Sequence, residues 1–114
     1  MHEFSIVSSL LENCEKIIKD NQAKKAVVIY LEIGQRSGVD KTLLKRAFED
    51  FKIGGVCEDA VLEILDVPVE IFCECCKESF VIKDINYTKC PKCGGEQVNI
   101  IKGRDMILKR LEME

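Results

Sequence analysis

The sequence predicts an α+β fold in which two helices pack on a small three-stranded sheet and a four-cysteine ribbon is inserted into the chain. Two segments carry apolar residues at helical spacing, and segments rich in β-branched residues follow them. Two C-x-x-C pairs then stand close together in the second half of the chain. The 114 residues suffice for a small core with such an insert. We assign residues 1–71 and 97–114 to the core and residues 72–96 to the insert.

The first helix is predicted from an apolar stripe between Phe4 and Lys19. The stripe consists of Phe4, Val7, Leu10, Leu11, Cys14, Ile17 and Ile18. This spacing is typical of an amphipathic helix, and Asp20-Asn21 is a suitable end for it. Because Cys14 lies on the stripe, we interpret it as a small core residue.

The first strand is predicted over residues 26–33, which are mostly β-branched and aromatic. Its buried face should carry Val27, Ile29, Leu31 and Ile33. Residues 34–38 form a loop, and Asp40 then has the position of a helix N-cap. The second helix follows, with a stripe of Leu43, Leu44, Ala47, Phe48 and Phe51, and Gly54-Gly55 ends it.

The remaining strands are shorter. Residues 60–71 are strand-like, but Pro68 cannot donate to a sheet, so we end the second core strand near Leu65. Residues 67–72 are then an extended lead into the ribbon, and residues 97–101 form a short strand after it. The tail, residues 106–113, is ambiguous between helix and strand by periodicity. We predict a strand, because it completes a sheet that would otherwise have only two strands.

The cysteine pairs predict a metal site made by Cys73, Cys76, Cys90 and Cys93. Two tight turns that face each other make the tetrahedral set of sulfurs that zinc accepts. A closed four-sulfur set has no open position for water, so the zinc should be structural. Two alternatives stay open. Cys75 could replace Cys76 as a ligand, although its spacing from Cys73 does not match that of the second pair. Residues 90–94 also resemble an iron-binding rubredoxin turn, so iron is an alternative to zinc. Disulfides are disfavoured, since the chain has an odd number of cysteines, seven.

Composition narrows the class of protein. Hydrophobic residues make up 46% and charged residues 32% of the chain, which is typical of a globular protein. No apolar run is long enough to span a membrane, and the first residues lack the basic start of a signal peptide, so we expect a cytoplasmic protein. The net charge of −3 and the pI of about 5.3 disfavour nucleic-acid binding.

The N-terminus offers a second metal site. The single histidine is His2. The α-amine of Met1, the backbone nitrogen of His2 and its imidazole can chelate one ion through nitrogen atoms in a plane, a geometry that selects Ni(II) or Cu(II). Glu3 can add a backbone nitrogen or a carboxylate.

These features together resemble the HypA/HybF family, the nickel-incorporation proteins of [NiFe]-hydrogenase maturation. The resemblance is carried by the Met1-His2-Glu3-Phe4-Ser5 start, the Gly34-Gln35-Arg36-Ser37 loop, the paired cysteines and the Gly103 tail. It implies an α+β nickel-binding domain with an inserted zinc domain. It also implies that His2 is the essential nickel ligand, that Glu3 and Asp40 assist it, and that zinc is held by Cys73, Cys76, Cys90 and Cys93. Asp40 as an N-cap and Glu3 in a first helical turn also have ordinary structural explanations.

The resemblance implies a nickel metallochaperone and not an enzyme. The family works with a separate GTPase and delivers nickel to the hydrogenase large subunit, and in some bacteria to the urease accessory proteins. The sequence shows no catalytic constellation or nucleotide-binding loop of its own. The alternative function is a zinc-ribbon adaptor for nucleic acid or protein, in which Phe80 and Tyr87 would be stacking faces. A rubredoxin-like electron carrier is a third interpretation.

Overall fold

The computed structural model describes residues 2–83 and 87–114, apart from the side chain of His2. It contains two helices, α1 (His2–Asp20) and α2 (Lys41–Phe51). Its strands are β1 (Ala26–Gly34), β2 (Val61–Val67), β3 (Val69–Cys73), β4 (Glu78–Ile82), β5 (Val98–Lys102) and β6 (Met106–Met113). The predicted helices are therefore present, with α1 beginning two residues earlier than expected. No helix in these described ranges is long and apolar enough to cross a membrane.

The strands form two sheets of three strands each. The first has the order β2-β1-β6, which confirms both the predicted three-stranded sheet and the strand in the tail. The second has the order β4-β3-β5, with β3 antiparallel to both neighbours. The predicted extended lead, residues 67–72, thus contains four of the five residues of β3, the central strand of the second sheet. The α+β fold class is confirmed.

The chain divides into two compact units. One comprises residues 1–31, 39–64 and 108–114, and the other comprises residues 32–38 and 65–107. The predicted domain boundaries, with the insert at residues 72–96, stay a prediction.

The core of the first unit lies between the two helices and the sheet residues that belong to this unit. Its fully buried side chains include Val7, Cys14, Ile18, Ile29, Leu31, Leu44 and Phe48. Asp40 is the N-cap of α2, as predicted, since its Oδ1 accepts from the backbone N–H of Leu43 at 3.1 Å.

Three side chains predicted to be buried are exposed. Val27 is 38% exposed and lies near the start of β1, where the buried residue is Ala26. Leu43 and Phe51 lie at the two ends of the α2 stripe, where burial is incomplete. The ring of Phe51 packs near that of Phe4, with 5.4 Å between the ring centroids.

The last residue of the chain is tied into the first unit. The backbone carbonyl of Glu114 accepts from the N–H groups of Lys24 at 2.7 Å and Lys25 at 3.3 Å. Its own N–H donates to the carbonyl of Lys25 at 2.9 Å. The C-terminal end of β6 is therefore held by the segment that leads into β1.

A crowded turn in the second unit requires glycine. Gly103 has φ +84°, and a Cβ there would lie 2.5 Å from the carbonyl oxygen of Pro68. A Cβ on Gly34 would in turn lie 2.4 Å from the carbonyl carbon of Gly103. The same turn is hydrogen bonded, because the N–H of Arg36 donates to the carbonyl of Gly103 at 2.9 Å. At Gly34 and at Gly103, the neighbouring backbone lies too close for either residue to carry a side chain.

We expect Gly103→Ala to lower the free energy of unfolding by about 2–5 kcal/mol, because it adds a steric clash to an unfavourable backbone conformation. Gly38→Ala is the matched control. Gly38 has φ +76° but nothing within 4 Å of the added Cβ, so this variant should lose only about 1–2 kcal/mol. Thermal unfolding of the two variants measures the difference. Equal losses would show that the close approach at Gly103 contributes nothing.

Candidate metal sites

The second unit brings four cysteines together. The sulfur atoms of Cys73, Cys76, Cys90 and Cys93 all lie within 4.8 Å of one another. Cys73 ends β3 and Cys76 lies in the turn to β4, while Cys90 and Cys93 lie in the turn before β5. Cys75 is exposed and lies outside this cluster. The structure therefore assembles the same four cysteines that the sequence selected.

The two cysteine turns have the same local geometry. In each, the backbone N–H of the second cysteine points at the first sulfur, at 3.5 Å for Cys76 to Cys73 and 3.4 Å for Cys93 to Cys90. In each, the next residue is left-handed, Lys77 with φ 57° and Gly94 with φ 72°. Glycine adopts this conformation without strain, whereas lysine has no preference for it, so the sequence does not indicate the left-handed conformation of Lys77.

The spacing of the sulfurs suits a tetrahedral metal ion. The Sγ atoms of Cys73 and Cys93 are 3.8 Å apart, as are those of Cys76 and Cys90. A zinc ion with four bonds of about 2.3 Å places its sulfur ligands about 3.8 Å apart. The residues present thus fit a zinc ion in number, chemistry and spacing.

The surroundings of the thiols differ, so the pKa values of Cys90 and Cys76 move in opposite directions. Burial alone would raise the pKa of Cys90, but the N–H groups of Cys93 and Lys92, together with the side chains of Cys93 and Cys73, lower that pKa to about 7. For Cys76, the hydrogen bond with the Cys93 side chain, together with burial, raises the pKa to about 12. Neighbouring sulfurs thus oppose a second negative charge, and a bound divalent ion would remove that opposition.

The aromatic residues of the second unit pack inside it. Phe80 and Tyr87 lie against a small core of Val69, Ile71 and Ile82. The guanidinium of Arg36 lies over the Tyr87 ring, 5.8 Å from its centroid. Both rings therefore have partners within the unit, which weakens their interpretation as nucleic-acid stacking faces.

The predicted nickel residues are brought together in part. Glu3 lies in the first turn of α1, and its Oε2 accepts from the backbone N–H of Asp40 at 3.1 Å. The side chain of Asp40 in turn caps α2. Met1 and the side chain of His2 lie outside the described residues, so their expected roles stay predictions.

Comparison with known proteins places the chain in a family. A family model described as hydrogenase/urease nickel incorporation, metallochaperone, hypA matches residues 1–113. The chain belongs to the HypA family. The hydrogenase/urease maturation factor HypA of Helicobacter pylori is 44% identical over 114 residues, with 99% of this chain and 97% of the relative covered. The hydrogenase maturation factor HypA of Wolinella succinogenes is 41% identical, with 100% of this chain and 96% of the relative covered.

Solved HypA structures have the same fold. The solution structure of the Ni metallochaperone HypA from Helicobacter pylori matches with a TM-score of 0.74 at 43% identity, and covers 97% of this chain and 96% of its own. A second solution structure of a HypA protein matches with a TM-score of 0.78 at 43% identity, and the match covers 100% of this chain and 97% of the other. The resemblance to the HypA/HybF family is therefore confirmed, and the chain is a member of a nickel metallochaperone family that serves hydrogenase and urease maturation.

Proposed function

We propose that this HypA protein binds one Ni(II) ion at its N-terminus and delivers it during [NiFe]-hydrogenase maturation, while zinc at the four cysteines is structural. One observation carries the assignment of separate sites. The four sulfurs lie within 4.8 Å of one another and can fill all four positions of a zinc ion, so the cargo ion needs other donors. The nitrogen donors that we propose for it belong to Met1 and to His2, which is the single histidine of the chain.

The nickel donors are the α-amine of Met1, the backbone nitrogen of His2 and its imidazole. A planar nitrogen set suits Ni(II) and excludes the tetrahedral geometry of zinc. Glu3 and Asp40 assist from beside this set. Their mutual hydrogen bond supports that role, because it holds the start of α1 next to the N-cap of α2.

The zinc ion is held by Cys73, Cys76, Cys90 and Cys93 and supplies folding free energy. The small core of Val69, Ile71 and Ile82 is too limited to stabilise a ribbon by burial alone. Metal binding in model zinc peptides contributes about 10–16 kcal/mol to folding, which is sufficient to stabilise the ribbon. Zinc is preferred over iron here because a structural role needs no redox chemistry.

The partners that we propose are a separate GTPase, the hydrogenase large subunit and, for urease, its accessory proteins. The protein acts as a carrier and not as an enzyme, so any energy input comes from the GTPase. We expect it to work in the cytoplasm, where reducing conditions keep the cysteines available for zinc.

Nickel titration of the zinc-loaded, untagged chain tests the proposal. We expect one Ni(II) bound per chain with no loss of zinc, and an absorption spectrum of planar nickel. Nickel that binds only by displacing zinc from the four sulfurs would contradict the separation of the two sites.

We expect Asp40→Asn and Asp40→Ala to separate the two roles of this residue. Asparagine caps a helix as well as aspartate, so Asp40→Asn should leave thermal stability unchanged, whereas Asp40→Ala should cost about 1 kcal/mol. If the carboxylate assists nickel, both variants should bind nickel more weakly, by roughly tenfold or less. Unchanged nickel affinity in Asp40→Asn would show that Asp40 is only a cap.

A further inference from the structure

The four sulfurs of the zinc set differ in how far a molecule from solution can reach them. Cys73 is fully buried and Cys90 is 2% exposed, so neither of them offers its sulfur to a reagent. Cys76 is half-buried, and Cys93 is exposed. Two of the four ligands, Cys76 and Cys93, are therefore open to a small reagent.

Backbone N–H groups distinguish these two sulfurs. The N–H of Gly95 donates to the sulfur of Cys93 at 3.4 Å. Among the described residues, no N–H group donates to the sulfur of Cys76, which lies 3.8 Å from the sulfur of Cys90. The two buried sulfurs do have such donors, at 3.5 Å for Cys73 and 3.4 Å for Cys90. In this part of the chain, Cys76 is thus the zinc ligand whose sulfur lacks a backbone donor.

The second sheet explains the difference between the two turns. Gly95 follows Cys93 by two residues and lies outside the strands, where its N–H can point at the sulfur. Its carbonyl accepts from the N–H of Cys90 at 2.8 Å, which holds this arrangement. Glu78 follows Cys76 by the same number of residues, but it is the first residue of β4 and is paired with Cys73. The residue that matches Gly95 is therefore part of a strand and is not a donor to the Cys76 sulfur.

The lysines of the two turns do not replace this donor. The Nζ of Lys92 donates to the Oε2 of Glu78 at 2.9 Å. The Nζ of Lys77 lies 3.6 Å from the carboxylate of Glu74. Both ammonium groups thus pair with carboxylates.

We propose that Cys76 is a modification site, the zinc-bound thiolate at which a small soft electrophile reacts. A hydrogen bond draws electron density from a thiolate and lowers its nucleophilicity, so the sulfur without a backbone donor is the strongest nucleophile of the four. Accessibility and hydrogen bonding together select Cys76. This inference rests on the zinc site proposed above and does not depend on nickel binding.

The reaction is balanced with an alkylating agent. The Cys76 sulfur uses a lone pair to form a bond to carbon, and the leaving group departs as an anion with the electron pair of its broken bond. Cys76 becomes an uncharged thioether, which is a weaker zinc ligand than a thiolate. The site then retains three thiolates, so modification of Cys76 should release zinc.

The test uses the zinc-loaded full chain with Cys75→Ser. Cys75 is exposed and lies outside the zinc set, so it would react as a free thiol. Cys14 and Cys57 are buried and should react only after unfolding. The reagent is iodoacetamide, which is small and uncharged, and peptide mapping locates the adduct while fewer than one has formed per chain.

We expect Cys76 to carry several times more adduct than Cys93, up to about tenfold, because one hydrogen bond changes a rate by a factor of that size. A chromogenic chelator should detect one zinc ion released for each adduct on Cys76.

Gly95→Pro and Gly95→Ala form a matched pair in the same background. Both add a Cβ 3.3 Å from the sulfur of Cys93, but only proline removes the N–H that donates to it. Gly95→Pro should therefore make Cys93 as reactive as Cys76, whereas Gly95→Ala should leave Cys76 preferred. If Gly95→Pro does not retain zinc, mapping of the Cys75→Ser chain decides.

The proposal is overturned if the first adduct lies on Cys93 or is spread evenly over the four cysteines. It is equally overturned if zinc leaves before any adduct forms. Zinc content before treatment is measured separately, and a chain without zinc at that stage would contradict the zinc assignment itself.

Discussion

Cys93→Ser is expected to release zinc and to unfold the ribbon of the second unit, while α1 and α2 stay folded. The Cys93 sulfur is one of the four in the cluster and lies 3.8 Å from that of Cys73. A hydroxyl is a poor substitute for a thiolate, so the variant loses most of the metal-binding free energy, which is about 10–16 kcal/mol in model peptides. Because the buried core of Val69, Ile71 and Ile82 beside the ribbon is small, no other interaction compensates for that loss.

Metal analysis and NMR spectra measure this effect. Cys75→Ser is the matched control, since Cys75 lies in the same turn but is exposed and outside the cluster. It should retain zinc and an unchanged spectrum. One zinc per chain in Cys93→Ser, with the ribbon signals in place, would show that the ligand assignment is wrong.

Extending the N-terminus by a few residues other than histidine is expected to weaken nickel binding by about a hundredfold or more, as severely as His2→Ala. The extension leaves every side chain present, but it converts the α-amine of Met1 into a peptide nitrogen. His2→Ala removes the imidazole from the same chelate. Neither change should affect zinc content, and His2→Ala should not alter the melting temperature, because residue 2 lies outside the apolar stripe of α1.

The pH dependence follows from the same chelate. A free α-amine has a pKa of about 7.7–8.0 and must lose its proton before it binds nickel. Nickel affinity should therefore rise as the pH increases through that range and fall below it. Calorimetric titrations of the untagged, C-terminally tagged and N-terminally extended chains test the idea. Equal nickel affinity in all three would mean that side chains alone hold the metal, and the site would then be rebuilt around His2, Glu3 and Asp40.

Periodic signals predicted much of the fold. The helical stripes located α1 and α2, and the need to complete a sheet correctly identified β6 as a strand. The second sheet was missed because β3 follows β2 after a single residue, Pro68, which looks like the end of one strand. β3 pairs with β4 and with β5, and no local sequence pattern indicates which strands will pair.

The candidate sites were predictable where sequence spacing alone determines geometry. The C-x-x-C spacing identified the four cysteines that the structure brings together. The left-handed conformation of Lys77 was not predictable, because nothing in its side chain favours it.

The hydrogen bonds of Glu114 determine how the end of β6 opens. The backbone N–H groups of Lys24 and Lys25 donate to the carbonyl of Glu114, and the N–H of Glu114 donates to the carbonyl of Lys25. The hydrogens of these three amides can exchange with solvent only when this end of β6 separates from the segment that leads into β1. Amide exchange at Lys24, Lys25 and Glu114 therefore reports one shared local opening.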